Sequence, residues 1–201
     1  NLKNCNRPDI PVIFNPFGTR ERTAMTIGLS DPTAAKRHHA AVLADPSRWI
    51  APTLVERDQA PCKAVHIPKD RISLDRDLPL VWLGKEGASY VTGGVVTTRD
   101  PETGARNVGW YRLTQLCNAE HPTGGSYSEE RQKRFLSAFA FWNPPMSHIG
   151  LHLAKAAQMG KPLEIAIACV CDPAVHVAAC TAVPYGQDEF AYAGGLRGAS
   201  V

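Results

Sequence analysis

The spacing of apolar positions changes character twice along the chain. Residues 10–14, IPVIF, form a short apolar run that predicts a strand, and NPFGT then turns the chain into a helical segment, RERTAMTIGL. In SDPTAAKRHHAAVLADPS, Asp31 occupies a cap position, Pro32 the first helical position, and helix formers continue until Asp45-Pro46. That helix is expected to expose Lys36, Arg37, His38 and His39, the two imidazoles pointing in different directions. From residue 62 the period shortens to two, and CKAVHIP, PLVWLG, YVTGGVVTTR and NVGWYRLTQL each predict a strand. Asp100-Pro101-Glu102-Thr103-Gly104 supplies hairpin-turn chemistry, so 90–99 and 106–116 are expected to pair antiparallel, with a bulge at Gly93-Gly94. Residues 117–147 read as a polar loop, a short helix with an aromatic patch and a Pro-Pro stop. The chain then becomes α/β. SHIGLHLAKAAQMG predicts a helix ending at Gly160, LEIAIACV a buried strand, DPAVHVAACTA a helix capped by Asp172, and DEFAYAGGLRG a helix breaking at its glycines.

Charge and composition narrow the classes of partner. With 22 Lys+Arg against 19 Asp+Glu, a net +3 spread along 201 residues is too weak to indicate a nucleic-acid surface, although it is compatible with a small anionic ligand. No apolar run approaches the roughly 18 residues of a membrane helix, and the N-terminus lacks the layout of a secretory signal. These features predict a soluble, cytoplasmic protein. Cysteines 5, 62, 117, 169, 171 and 180 form no C-x-x-C pair and are expected to be reduced and buried. The absence of an initiator Met and the abrupt end at GGLRGASV are read as marks of a piece of something longer.

Few residues announce chemistry by themselves. Asn107 and Arg112 stand five apart, so on one flat strand they face opposite sides; Arg112 could hold a carboxylate or phosphate bidentately. His148 opens a helix, where an imidazole meets free N–H groups that favour an anion. His152 follows one turn later, but H-I-G-L-H lacks the Glu of a zinc protease. His176 reads as a satisfied core histidine, and Glu189 as an acid that complements its helix dipole. There is no G-x-S-x-G, phosphate-binding loop or G-x-G-x-x-G motif.

Four strings taken in order say more than any one motif. FGTRERTAMTIGL, YVTGGVVTTRDPETGARNVGWYR, SHIGLHLAKAAQMGKPLEIAIACVCDPAVHVAA and VPYGQDEFAYAGGLRG together resemble the UbiD family of reversible decarboxylases, which use prenylated FMN, from about residue 11 to 198. The resemblance implies an α+β fold: a partial α/β segment over residues 1–61, then a split-barrel, flavin-reductase-like cofactor domain over 62–201. It further implies that Asn107, His148 and Glu189 bind Mn2+ or Mg2+ bridged to the cofactor phosphate, a mixed oxygen and nitrogen set suited to such an ion. K+ is implied beside Glu189, near Val108 and the turn at 178–181. Val108, Gly109, Trp110, Tyr111 and Ser147 would line the cofactor. Arg112 would face the carboxylate of an aromatic, heteroaromatic or α,β-unsaturated acid, as the catalytic residue of this chain.

The chain also departs from the family pattern. Arg112 and His148 are 36 positions apart, a longer connection than usual, so EERQKRFLSAFAFW reads as an insertion. The glutamates that link to the family's arginine lie downstream of GGLRG and are outside this sequence, which implies that a complementary segment or chain carries them. A homo-oligomer is expected from the family. Two other readings compete: a flavin- and metal-binding module or subunit without turnover, and a flavin reductase of similar topology, for which no nicotinamide site is visible.

Overall fold

The computed structural model describes residues 9–78, 80, 89–91, 93–115, 127–139 and 147–201. The chain forms two compact units that interleave along the sequence: Asn1–Val12, Leu54–Gly93 and Arg112–Phe139 in one, Ile13–Thr53, Gly94–Tyr111 and Ala140–Val201 in the other. Helix and sheet are mixed, and among the described residues the strands form two three-stranded sheets without a closed barrel.

The first unit contains α3 (Leu74–Asp77), β1 (Tyr90–Val91), β4 (Arg112–Gln115), α4 (Glu129–Arg134) and β5 (Leu136–Phe139). Its sheet has the order β1-β4-β5, with Tyr90 opposite Thr114 and Leu113 opposite Ala138. Gln115 ties this sheet to the helices, donating from Nε2 to Asp75 Oδ1 at 2.7 Å and to the Gln132 carbonyl at 2.9 Å. The expected strand CKAVHIP is absent here: Pro61–Lys63 is a 3-10 turn and Val65 is 79% exposed. A β-branched alternation without a neighbouring edge to pair with does not make a strand. PLVWLG lies outside the described residues apart from Leu80, as do much of the 117–147 loop and its Pro-Pro stop. The LSAF part of the expected short helix is β5.

The second unit holds α1 (Arg20–Thr26), α2 (Ala35–Ala44), β2 (Val95–Arg99), β3 (Arg106–Trp110), α5 (His148–Gln158), β6 (Ile165–Ala168), α6 (Pro173–Ala179) and α7 (Glu189–Arg197). The hairpin is present as β2 and β3, in register from Arg99 opposite Arg106 to Val95 opposite Trp110. It is shorter than expected, because Tyr111 interrupts the second run. β1 and β2 are separate strands in different sheets, so Gly93-Gly94 lies between two sheets rather than within one continuous strand.

The core of this unit gathers Val42, Val95, Val108, Ala174, Ala178, Tyr192 and Leu196, where α6 and α7 pack on β3 and α2 packs on α7. Each large apolar side chain buried this way contributes about 1.5–3 kcal/mol. Local signals hold at the helix ends: Asp172 Oδ1 accepts from Ala174 N at 2.9 Å, and Asp188 Oδ1 from Phe190 N at 3.0 Å.

Several expectations need correction. IPVIF is not a strand, and α2 begins at Ala35 because Asp31 instead caps a turn through Thr33. His38 and His39 are half-buried, their Nε2 atoms meeting the Leu196 carbonyl at 2.8 Å and Thr181 Oγ1 at 3.1 Å. β6 is an edge strand with Ile165 47% exposed, not a buried one. α7 does not break at Gly194-Gly195; it runs through them to Gly198, whose φ of 73° ends the helix.

Candidate functional site

β3 is the outer strand of its sheet, and an outer strand presents backbone N–H groups that need partners. Glu189 supplies one: Val108 N donates to its Oε2 at 3.1 Å. The ends of β3 and α7 are clamped beside this contact, because Arg106 forms an ion pair with the free oxygen of the Asp188 cap and lies over the Phe190 ring. Asn107 and Glu189 therefore each follow a residue of the same salt bridge.

Ser147 caps α5, its Oγ accepting from Gly150 N at 3.3 Å, and this sets His148 at the first helical position. His148 Nδ1 then lies 3.9 Å from Glu189 Oε1, with Tyr185 edge-on to the imidazole at 5.2 Å. Burial lowers the His148 pKa, which disfavours the charged form of the ring. The Glu189 side chain is 3% exposed. Burial is the dominant influence on it and Asp188 adds to that; together they outweigh the backbone hydrogen bonds and Arg106, and the carboxyl is pushed up to about 7. A buried carboxyl group beside an imidazole, with the nearby guanidinium engaged elsewhere, is an environment a bound cation would relieve.

Asn107 is 4% exposed and sits opposite Thr98 in the hairpin. Its Nδ2 is 3.5 Å from Thr98 Oγ1, and among the described residues no group donates to its Oδ1. Amide oxygen, imidazole and carboxylate thus come from β3, α5 and α7 of one unit. The donor set fits a hard divalent ion. Among the described residues no three His, Cys, Asp or Glu side chains cluster as a metal site, and this trio has only two of those types.

The remaining expected site residues separate. Gly109, Trp110 and Tyr111 continue the same unit, with Trp110 half-exposed and edge-on to His176 at 5.6 Å. His176 is not a satisfied core histidine, since its buried Nδ1 has no hydrogen-bond partner among the described residues. Arg112 is exposed and belongs to the other unit. A cleft of about 830 Å³, lined by Arg99, Lys161, Glu164 and Ile165 among others, contains none of the three candidate ligands.

Sequence reasoning missed what surrounds the trio. His152 Nδ1 is 2.9 Å from Thr98 Oγ1. Lys155 reaches Asp100 Oδ2 at 2.6 Å and Glu102 Oε2 at 2.9 Å, and Tyr185 donates to the same Asp100 oxygen. The only sequence signal was His152 on the same helical face as His148.

Residues 53–201 match the UbiD family, described as the 3-octaprenyl-4-hydroxybenzoate carboxy-lyase Rift-related domain, and the chain belongs to that family. It is 32% identical over 199 residues to a phenolic acid decarboxylase of Escherichia coli O157:H7, covering 94% of this chain and 37% of that relative. A phenolic acid decarboxylase of Sedimentibacter hydroxybenzoicus is 31% identical over 195 residues, covering 92% and 36%. Among solved structures, an evolved dimeric form of the UbiD-class enzyme HmfF from Pelotomaculum thermopropionicum, in complex with prFMN, superposes with a TM-score of 0.70 at 27% identity, over 91% of this chain and 38% of HmfF. The chain thus spans little more than a third of the length of these relatives. No helix among the described residues is long and apolar enough to cross a membrane.

Proposed function

We propose that this chain is the cofactor- and metal-holding part of a carboxy-lyase that reversibly decarboxylates an aromatic, heteroaromatic or α,β-unsaturated carboxylic acid with prenylated FMN. The observation that carries the reading is Glu189: a buried carboxylate gripped by the Val108 amide, beside His148 and next to the Asn107 strand. Family membership and the prFMN held by the HmfF relative support the cofactor assignment.

In this reading Asn107, His148 and Glu189 would hold Mn2+ or Mg2+, whose charge would offset that of the cofactor phosphate; the first turns of α5 and α7 would favour the same anion. Glu189, with the backbone near Val108 and residues 178–181, would hold K+. Val108, Gly109, Trp110, Tyr111 and Ser147 line the cofactor. Arg112 binds the substrate carboxylate through paired N–H donors and orients it. Prenylated FMN, when bound, supplies the electron sink for loss of CO2. Glutamates from a further segment or chain protonate the product carbon. The cofactor domain over 62–201 is assigned a split-barrel, flavin-reductase-like architecture on the strength of family membership. A cytoplasmic location is consistent with the free thiols of Cys62, Cys169, Cys171 and Cys180, of which Cys62 and Cys180 are exposed rather than buried as expected.

Mutation separates these roles. Asn107→Ala and His148→Ala are expected to lose metal-dependent retention of prenylated FMN, while Arg112→Ala retains cofactor and metal and loses CO2 release. Unchanged metal and cofactor content in both ligand variants refutes the site. Cofactor and metal retained without CO2 release from any tested acid would instead make the protein a binding module.

A further inference from the structure

Thr98 and His152 are almost completely enclosed, at 2% and 1% exposure, and neither has a role in the site described above. Thr98 faces Asn107 across the hairpin, while His152 reaches it from α5, one turn beyond His148. The Thr98 hydroxyl lies between the other two side chains, 2.9 Å from His152 Nδ1 and 3.5 Å from Asn107 Nδ2.

Hydrogen-bond polarity makes this chain of three directional. A hydroxyl has one proton to donate, an amide nitrogen only donates and an amide oxygen only accepts. With Asn107 Nδ2 donating to Thr98, the threonine proton is available to His152 Nδ1, which accepts it as the Nε2–H tautomer. In the opposite arrangement, His152 Nδ1–H donates to Thr98 and Thr98 donates to Asn107 Oδ1. That arrangement would turn the amide nitrogen outward, and an amide nitrogen cannot ligate a cation. With His152 Nδ1 as acceptor, Thr98 has no proton left for Asn107 Oδ1 and can only accept from Nδ2, so these two buried groups favour the oxygen-outward orientation without touching the metal.

We propose that Thr98 and His152 are positioning residues that hold Asn107 with its amide oxygen toward the metal. This rests on the reading of Asn107, His148 and Glu189 as the metal site. The arrangement also gives α5 two tasks, since one helix presents a ligand at His148 and orients another through His152. Groups that orient a ligand from behind typically change metal affinity about 10- to 100-fold when removed.

The test is Mn2+ affinity in the full-length protein with saturating FMN, read by electron paramagnetic resonance of free and bound Mn2+. Thr98→Val keeps the shape and removes the hydroxyl; His152→Leu removes the acceptor. Both are expected to weaken Mn2+ binding about 10- to 100-fold and to alter the bound-ion spectrum. Thr98→Ser, which keeps the hydroxyl, and His152→Asn, which places an acceptor oxygen near the position of Nδ1, are expected to restore most of the affinity. If Thr98→Val binds Mn2+ like the parent while Asn107→Ala does not, the positioning role is wrong and the metal site stands. Equal loss in Thr98→Val and Thr98→Ser also overturns it, because packing alone would then explain the effect. If Asn107→Ala itself binds Mn2+ normally, the metal-site reading fails and the positioning role goes with it.

Discussion

Gly194→Ala sets two opposing effects against each other within α7. Alanine is the better helix former by about 1 kcal/mol, so on propensity alone the substitution stabilises. The space around the position argues the other way. A Cβ built on Gly194 falls 2.3 Å from the Ile50 carbonyl oxygen and 3.1 Å from the Ile50 Cβ. That carbonyl cannot easily withdraw, because Ile50 N donates to Ala191 O of the same helix at 3.0 Å. Relief requires a separation of roughly 1 Å, which stretches the Ile50 to Ala191 bond beyond hydrogen-bonding range. Overpacking of this kind destabilises by about 1–3 kcal/mol, and the lost hydrogen bond adds about 1 kcal/mol. After subtracting the propensity gain, the expected loss is about 1–3 kcal/mol, or about 2–4 °C in Tm per kcal/mol. Urea unfolding followed by tryptophan fluorescence, with an unchanged m-value, measures it. Gly195→Ala, whose Cβ would lie 2.8 Å from the Arg48 carbonyl oxygen, is expected to destabilise in the same direction. A Gly194→Ala protein as stable as the parent, or more so, would refute the claim that glycine is present for close approach.

Glu189→Gln removes a buried charge; the metal-free variant is expected to be at least as stable as the parent. Mn2+ should no longer raise its Tm, whereas the parent gains about 2.7 kcal/mol at a hundredfold excess over Kd, as thermal shift with Mn2+ and FMN would register. For Asp100, burial acts to raise the pKa, but Lys155, Tyr185 and the Glu102 and Thr103 amides outweigh it and hold the carboxyl well below its usual range. A depressed carboxyl contributes stability above its unfolded pKa of about 3.9 and loses it as pH falls through the lower folded value. Lys155→Met shifts that folded value upward. Its deficit against the parent should therefore be greatest near pH 7 and shrink in acid; a deficit that grows as pH is lowered in urea titrations would contradict the assignment.

The legible parts of the site were its local ones. His148 and Glu189 read as residues at helix starts; the Ser147 and Asp188 caps that set them there emerge only in the structure, although a cap reaches only two or three residues along the chain. Asn107 and Arg112 were treated as members of one strand, and the odd spacing made their sharing a face difficult. The chain leaves the strand at Tyr111, and the two residues fall in different units. His38, His39 and β6 were misjudged for a common reason: burial depends on what packs against a segment, and its own pattern reports only how apolar it is.

The sequence by itself determined the Asp172 cap, the hairpin turn at 100–104 and the family, because each is written in short spacings or ordered strings; the candidate ligands came from the family resemblance. Only the tertiary structure decided how those ligands are held. Arg106 and Asp188 are 82 positions apart, Thr98 and His152 are 54 apart, and Ile50 meets Gly194 through a gap that only a missing Cβ permits. Such contacts follow from how α6 and α7 settle on β3 and α2 on α7, and many faces of similar hydrophobicity could satisfy the same local pattern.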